Sequence, residues 1–497
     1  MILEGFAAIL NVQCLLLIVA GVVLGIIFGA IPGLSANMAV TLCLPLSFSL
    51  EPIPGIALLI ALYLGGISGG LISAILIKIP GTPASIATTF DGGPLADKGE
   101  AGKALGTGII FSFLGGLFSI ICLIFISPWL ADVALKFGPF EYCAVGIFSL
   151  TLVSGLVGKD IIKGLLGAFI GIMLATIGSA PIDGAPRFTL GFPALQGGVD
   201  VISLMIGLFA VAEVIKAAED SVIKGEKAKA TSYKIKGLGI TLKEIWSQKW
   251  GALRAAVIGT AIGILPGLGG STANIVAYSV AKNQSKYPEK FGTGIIDGVV
   301  ASETSNNATV GGALIPLLTL GIPGDVTTAI LLGALTIQGL TPGPLLFETE
   351  GVFVYSIFAG LLLANVVMIV LMYAGMHGFV KLLSIQKRYL LPVVMVLCLV
   401  GAFAINNRVF DVWCVLVFGV MGYLLNKAEI PFAPIIMGFI LAPIIELYLR
   451  RASMLGEGDL TPFFTRPISC VFIVITILFL AWSVFKFIRA RSGNGKA

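Results

Sequence analysis

The chain has 497 residues, 57% of them hydrophobic and only 11% charged, with a formal net charge of +5 and a mean hydropathy of +1.04. Soluble domains carry roughly 25% charged residues, so the composition excludes a soluble enzyme and describes an all-α polytopic protein of the lipid bilayer. The positive charge is small and scattered, so it makes no nucleic-acid footprint.

The opening stretch MILEGFAAIL holds Glu4 and no Lys or Arg. It does not read as the basic leader of a cleaved signal and is expected to stay with the mature chain. Apolar runs of the roughly 20 residues that span a bilayer recur throughout, giving about 12 spans. Examples are Cys14–Ile31, Gly108–Leu130, Val352–Met376 and Ile468–Phe487. The seven cysteines lie in these runs without CxxC spacing and read as small core hydrophobes.

Midway, a polar stretch carries Lys224, Lys227, Lys229, Lys234, Lys236, Lys243 and Lys249, and the tail KFIRARSGNGKA is also basic. Positive loops face the cytoplasm. The organisation that follows is a first transmembrane repeat over 1–217, a cytoplasmic basic linker over 218–250, a second repeat over 251–465, and a final span with a basic tail over 466–497. Each half opens alike, with GIIFGAIPGLSAN from Gly25 and GTAIGILPGLGGSTAN from Gly259. Each continues with a Gly-Gly pair, an apolar run and a Pro-Gly: Gly69, Gly70, Pro80 and Gly81 in the first, Gly311, Gly312, Pro323 and Gly324 in the second. Two motifs in one order argue for an internal duplication.

Paired Gly/Pro-interrupted segments at corresponding places in two halves point to the binding site of a secondary transporter. Half-helix N-termini offer unpaired N–H groups to anions, while unwound carbonyls suit a small cation. Each feature also has a plainer reading. The Gly25/Gly29 and Gly259/Gly263 pairs mark close helix packing more often than a site, and Ser or Thr in a membrane helix commonly bonds back to the preceding turn. The adjacent amides Asn306 and Asn307 are harder to place as packing. Lys78 is either a snorkelling helix-end lysine or a functional intramembrane charge; Asp297 and Glu303 are interfacial or coupling carboxylates.

Other function classes fit less well. GLGGSTANIV lacks the lysine of a phosphate-binding loop, and the sole histidine, His377, sits near a helix end, so neither a primary pump nor a metalloenzyme is indicated. An anion-selective channel lined by broken helices is the alternative.

The motifs GAIPGLSANMAVTLCLP, YLGGISGGLISAILIKIPGTPASIATTFDGG, PRFTLGFPALQGGVD, GILPGLGGSTANIVAYSVAK and FGTGIIDGVVASETSNNATVGGALIPLLTLGIPGDVTTAILLGAL resemble the large membrane subunit of the tripartite tricarboxylate transporter family. The likeness runs from about Gly25 to Pro344 in specific motifs and continues beyond as hydrophobicity. It implies uptake of citrate or related di- and tricarboxylates across the bacterial inner membrane, driven by Na⁺ or H⁺ without ATP. It also implies two partners, a small membrane subunit of about four spans and a periplasmic solute-binding protein. By fold-level analogy the two repeats are inverted. The chain departs from the family pattern at Lys78, where a short polar residue is usual, and at Gly93, where a tyrosine type of sequence is usual. Arg187 matches a family position between spans.

The site expected from these readings has two sets of residues. Substrate carboxylates meet Lys78, Pro80, Gly81, Ser85, Thr88, Asn307, Pro323, Gly324, Thr327 and Thr328. Na⁺ binds among Ser35, Asn37, Pro266, Gly267, Thr272, Asn274 and Asn306.

Overall fold

The structure is a computed structural model that describes residues 2–156, 161–224, 238–383 and 387–493. The first half runs α1 (Ile2–Ile9), α2 (Val12–Ala30), α3 (Ala36–Phe48), α4 (Pro52–Leu76), α5 (Ile86–Leu95), α6 (Ala101–Ala134), α7 (Pro139–Leu156) and α8 (Ile161–Ala175). A two-residue hairpin, β1 (Gly178–Ser179) with β2 (Pro186–Arg187), leads to α9 (Val201–Met205) and α10 (Ala212–Lys224). The second half holds α11 (Leu242–Ser247), α12 (Lys249–Ile264), α13 (Gly269–Gln284), α14 (Ile296–Leu320), α15 (Val326–Ile337), α16 (Leu346–Thr349) and α17 (Gly351–Gly375). It ends with α18 (Phe379–Leu383), α19 (Lys387–Asn406), α20 (Val409–Lys427), α21 (Phe432–Leu455), α22 (Pro462–Thr465) and α23 (Pro467–Gly493). The linker lysines Lys227, Lys229, Lys234 and Lys236 and the last four residues of the tail lie outside the described residues.

Seven helices among the described residues are long and apolar enough to cross a membrane. Shorter apolar helices such as α3 and α15 accompany them. At about 1.5 Å per residue the 12 residues of α15 fall well short of the hydrocarbon thickness, so they sit inside the protein and not across lipid on their own. The outer faces of α19 and α20 carry exposed Val393, Val396 and Val400, then Val409, Trp413, Val417 and Val420. This is helical spacing of an apolar stripe turned outward, the surface a bilayer covers.

Two 25-residue helices have no lipid face. In α4 everything from Pro54 to Leu76 is buried, and in α14 everything from Gly298 to Thr319. Glycines let neighbours close on both. An added Cβ at Gly25 or Gly29 of α2 would meet the Leu62 or Gly66 carbonyl of α4 at 2.5 and 2.2 Å. One at Gly259 or Gly263 of α12 would meet the Ser305 or Thr309 carbonyl of α14 at 2.2 and 2.8 Å. The Gly-xxx-Gly pairs are thus helix-packing surfaces. Around these centres the contact order is the same in each half: α2 and α3 pack on α4, and α12 and α13 on α14. The halves meet where α6 lies along α14, where the turn before α5 touches α13, and where α15 touches α3. Helices α7, α8, α21 and α23 form a second group beside this core.

Candidate functional site

Each interrupted segment stops one helix and starts another for a local reason. Pro32 and Pro266 remove the N–H that would continue α2 and α12, and Gly33 and Gly267 take φ of 90° and 79°. After the first break Ser35 caps α3 by accepting the Met38 N–H at 3.2 Å. At the end of α14 Gly321 adopts φ 69° as a left-handed cap. Asp325 then caps α15 by accepting the Thr328 N–H at 2.8 Å. The later Pro-Gly of each half lies against the earlier break: an added Cβ would stand 2.1 Å from the Gly29 carbonyl at Gly81, and 2.4 Å from the Gly263 carbonyl at Gly324. Only glycine fits at either place.

All four breaks converge on one cavity of about 210 Å³. Its walls are Ser35 to Asn37, Thr82 to Ala84, Gly267 to Thr272 and Asp325 to Thr327, with Ile67 and Ala433. The starts of α3, α13 and α15 and the turn before α5 therefore face one space, with their orphan N–H groups and positive dipole ends. Hydroxyls of Ser35, Thr82, Ser271, Thr272 and Thr327 and the Asn37 amide add polar atoms, and Asp325 adds a carboxylate. No Lys, Arg or His belongs to this lining among the described residues. The volume is below the roughly 300–1,000 Å³ of sites for drug-sized ligands, which suits a small metabolite.

Side chains cross between the halves around the cavity. The Thr327 hydroxyl donates to Asn37 Oδ1 at 2.5 Å. The Ala87 N–H donates to Asn274 Oδ1 at 2.7 Å, and Asn274 Nδ2 donates to the Ser302 carbonyl at 3.3 Å. The Tyr63 hydroxyl of α4 donates to Asp325 Oδ2 at 2.5 Å. Behind the cavity, α14 presents Ser302 to Asn307. Asn307 accepts the Ser68 hydroxyl at 2.6 Å and donates to the Glu303 carbonyl at 3.1 Å. Asn306 is fully buried, and among the described residues neither its Oδ1 nor its Nδ2 has a partner. Its Oδ1 points under the wall: a Cβ on Gly270 would stand 2.5 Å from it and 3.0 Å from the Ala84 Cβ.

The expected residues divide accordingly. Ser35, Asn37, Gly267, Thr272 and Thr327 line the cavity together, so residues read as cation ligands share a space with one read as a substrate ligand. Asn306 lies beneath that wall. Ser85, Thr88, Asn274, Asn307 and Thr328 are buried behind it and already hydrogen-bonded. Pro80, Gly81, Pro266, Pro323 and Gly324 shape the breaks and are not in the lining. Lys78 is away from the cavity: at φ 55° it forms a salt bridge with Asp97, and its side chain is 51% exposed. Arg187 pairs with Glu446 at 2.9 Å. His377 is exposed on a turn after α17.

Sequence reasoning passed over Asp325 as a site residue, although an acid directly after Pro-Gly was visible. Its bond from Tyr63, 262 positions away, had no sequence signal. Glu303, for which the sequence slightly favoured an interfacial role, is instead fully buried within the protein. Glu244 on α11, outside the spans, lies 2.5 Å from the Lys103 ammonium. That contact first, then the Thr241 N–H and hydroxyl, hold the Glu244 carboxyl down at about 2.

Residues 15–437 match the tripartite tricarboxylate transporter TctA family. An uncharacterized 52.8 kDa protein of the TAR-I ttuC' 3' region of Agrobacterium vitis is 34% identical over 487 residues, 98% of this chain and 96% of that protein. An uncharacterized protein of the TAR-II ttuC' 3' region of the same organism is 37% identical over 233 residues, 47% of this chain and 96% of that protein. No solved structure matches the chain. This multi-pass membrane protein belongs to the tripartite tricarboxylate transporter TctA family and is a component of such a transporter.

Proposed function

We propose that the chain is the large transmembrane subunit of a secondary transporter that imports citrate or a related di- or tricarboxylate across the bacterial inner membrane, driven by a cation gradient. A small membrane subunit and a periplasmic solute-binding protein complete the system. The observation that carries the reading is the cavity where three helix starts and the turn before α5 meet without a basic side chain among the described residues. Backbone N–H groups and hydroxyls grip carboxylates there, as helix N-termini bind anions generally.

Asp325 supports the reading that a cation accompanies the substrate. A polyanion entering a small cavity that holds a carboxylate and no positive side chain is repelled until the charge is offset. Neutral oxygens near the wall, with unpartnered Asn306 among them, supply a place for Na⁺; a protonated carboxyl is the other route. The shared order of breaks and the paired Asn37 and Asn274 crossings support two related repeats, which we read as inverted.

The test is uptake of labelled citrate into proteoliposomes holding the chain and its small subunit, with and without the binding protein and an inward cation gradient. Accumulation that requires both is the expected result. Equilibration without either would replace this reading with a channel.

A further inference from the structure

We propose that Glu303 is the residue on which this carrier holds its coupling proton, an inference that rests on the transport reading above. Glu303 is eight residues into α14, fully buried, at the meeting of α14 with α5 and α6. The Thr88 hydroxyl of α5 donates to Oε1 at 2.5 Å and the Ser112 hydroxyl of α6 to Oε2 at 3.0 Å. Two neutral hydroxyls are the hydrogen-bond partners of this carboxyl among the described residues.

Of the charged and titratable groups on the surrounding elements, Asp91, Lys103, Arg254 and Tyr63 have partners elsewhere, and Lys282, Asp297 and Glu348 stand in the end turns of their helices. On α5, Asp91 accepts from the Tyr278 hydroxyl of α13 and from the N–H groups of Gly292, Gly294 and Ile295. On α6, Lys103 pairs with Glu244 and stands nine residues before Ser112, about 13 Å along the helix. On α12, Arg254 donates to Gln284. On α13, Lys282 is in the last turn of the helix. On α4, Tyr63 donates to Asp325, the cap of α15. On α14 itself, Asp297 lies six residues earlier, about 9 Å along the axis; on α16, Glu348 is in the first turn of that helix. Among the described residues no positive group pairs with Glu303, so an ionised carboxylate buried here lacks the pairing that makes buried charge tolerable. A proton supplies it.

The position links that proton to the cavity. Thr88 lies on the first two turns of the helix whose approach, Thr82 to Ala84, forms one wall. It also contacts the Ser302 hydroxyl at 3.1 Å. An ionised Glu303 takes the Thr88 hydroxyl proton as acceptor; a protonated Glu303 donates its own O–H to Thr88 and turns that hydroxyl toward Ser302. Protonation thus resets how α5 is held against α14. In a transport cycle the proton joins a Glu303 carboxylate oxygen from the outer aqueous phase and leaves that oxygen to the inner one, with one O–H bond formed and broken and no other group changed.

The test has two arms on the full chain. In purified protein, infrared difference spectra across a pH titration should show one carboxylic-acid carbonyl band that Glu303→Gln removes and Glu303→Asp moves; an unchanged titration in both variants would overturn the proposal. In proteoliposomes with the small subunit and binding protein, Glu303→Gln should lose at least tenfold of proton-driven citrate accumulation while keeping citrate exchange at equal pH. Undiminished proton-driven accumulation in Glu303→Gln, or accumulation that follows Na⁺ alone at clamped pH, would also overturn it. Wild-type protein without any citrate exchange would sink the carrier reading instead, leaving the infrared arm to judge the proton.

Discussion

Asn274 Oδ1 accepts the Ala87 N–H at 2.7 Å, so a side chain from the second half holds the first turn of a helix from the first. Asn37 returns the arrangement, accepting the Thr327 hydroxyl at the first turn of α15. Asn274→Ala leaves a buried N–H without a partner, at a cost of about 1–3 kcal/mol. Asn37→Ala leaves a hydroxyl beside the cavity, at a smaller cost of about 1 kcal/mol. Thermal denaturation in detergent should rank the two in that order, and equal melts would remove the crossing from the stability of the fold.

Asn306 and Asn307 are neighbours with opposite accounts. Asn307→Ala removes bonds to Ser68 and the Glu303 backbone and should lower stability by about 1–3 kcal/mol as well as uptake. Asn306→Ala removes no protein partner, so the melt should barely move while citrate uptake is abolished. Full uptake by a well-folded Asn306→Ala protein would take this residue out of the mechanism.

Asp325 can be neutralised without losing its cap, because Asn is as good an N-cap as Asp. Two unit charges about 8 Å apart in an effective dielectric of about 20 repel by about 2 kcal/mol, which is about thirtyfold in affinity. Asp325→Asn should therefore bind citrate more tightly by that order when no coupling ion is supplied, as read by calorimetry on the purified chain. Unchanged affinity would mean that the Asp325 charge does not face the substrate.

Gly81→Ala and Gly324→Ala drive a Cβ into the Gly29 and Gly263 carbonyls. Both are backbone atoms and cannot swing away, so each substitution should cost about 1–3 kcal/mol. Gly378→Ala, which meets nothing within 4 Å, is the control and should melt like the parent protein.

The Lys103–Glu244 contact predicts a pH effect whose sign follows from the depressed Glu244 carboxyl. Its folded value lies below the unfolded value of about 4.3. The stabilisation is therefore present above that value and is lost as pH falls toward about 2. Acid melts of wild-type protein should fall toward those of Glu244→Gln over this window, and a constant gap between them would contradict the pairing.

Much of this protein was determined by its sequence alone. Hydrophobicity without charge demands helices, since lipid satisfies no free backbone groups. Pro and Gly at positions 32 and 33 and at 266 and 267 break helices through local dihedral constraints, and Pro-Gly at 80 and 81 and at 323 and 324 marks the later breaks, so all four were legible in the sequence. What those breaks surround was decided by tertiary structure. Ser35 and Thr327 share a cavity wall although 292 positions separate them, and Tyr63 reaches Asp325 only because α4 and α15 are packed together. Lys78 had the look of a site charge in the sequence, yet its left-handed backbone turns it to Asp97 instead. Glu303 reads the same in a sequence whether it meets headgroups or two hydroxyls in a buried interior. Periodicity and turn chemistry act over a few residues, whereas burial and partnership depend on which helices pack side by side.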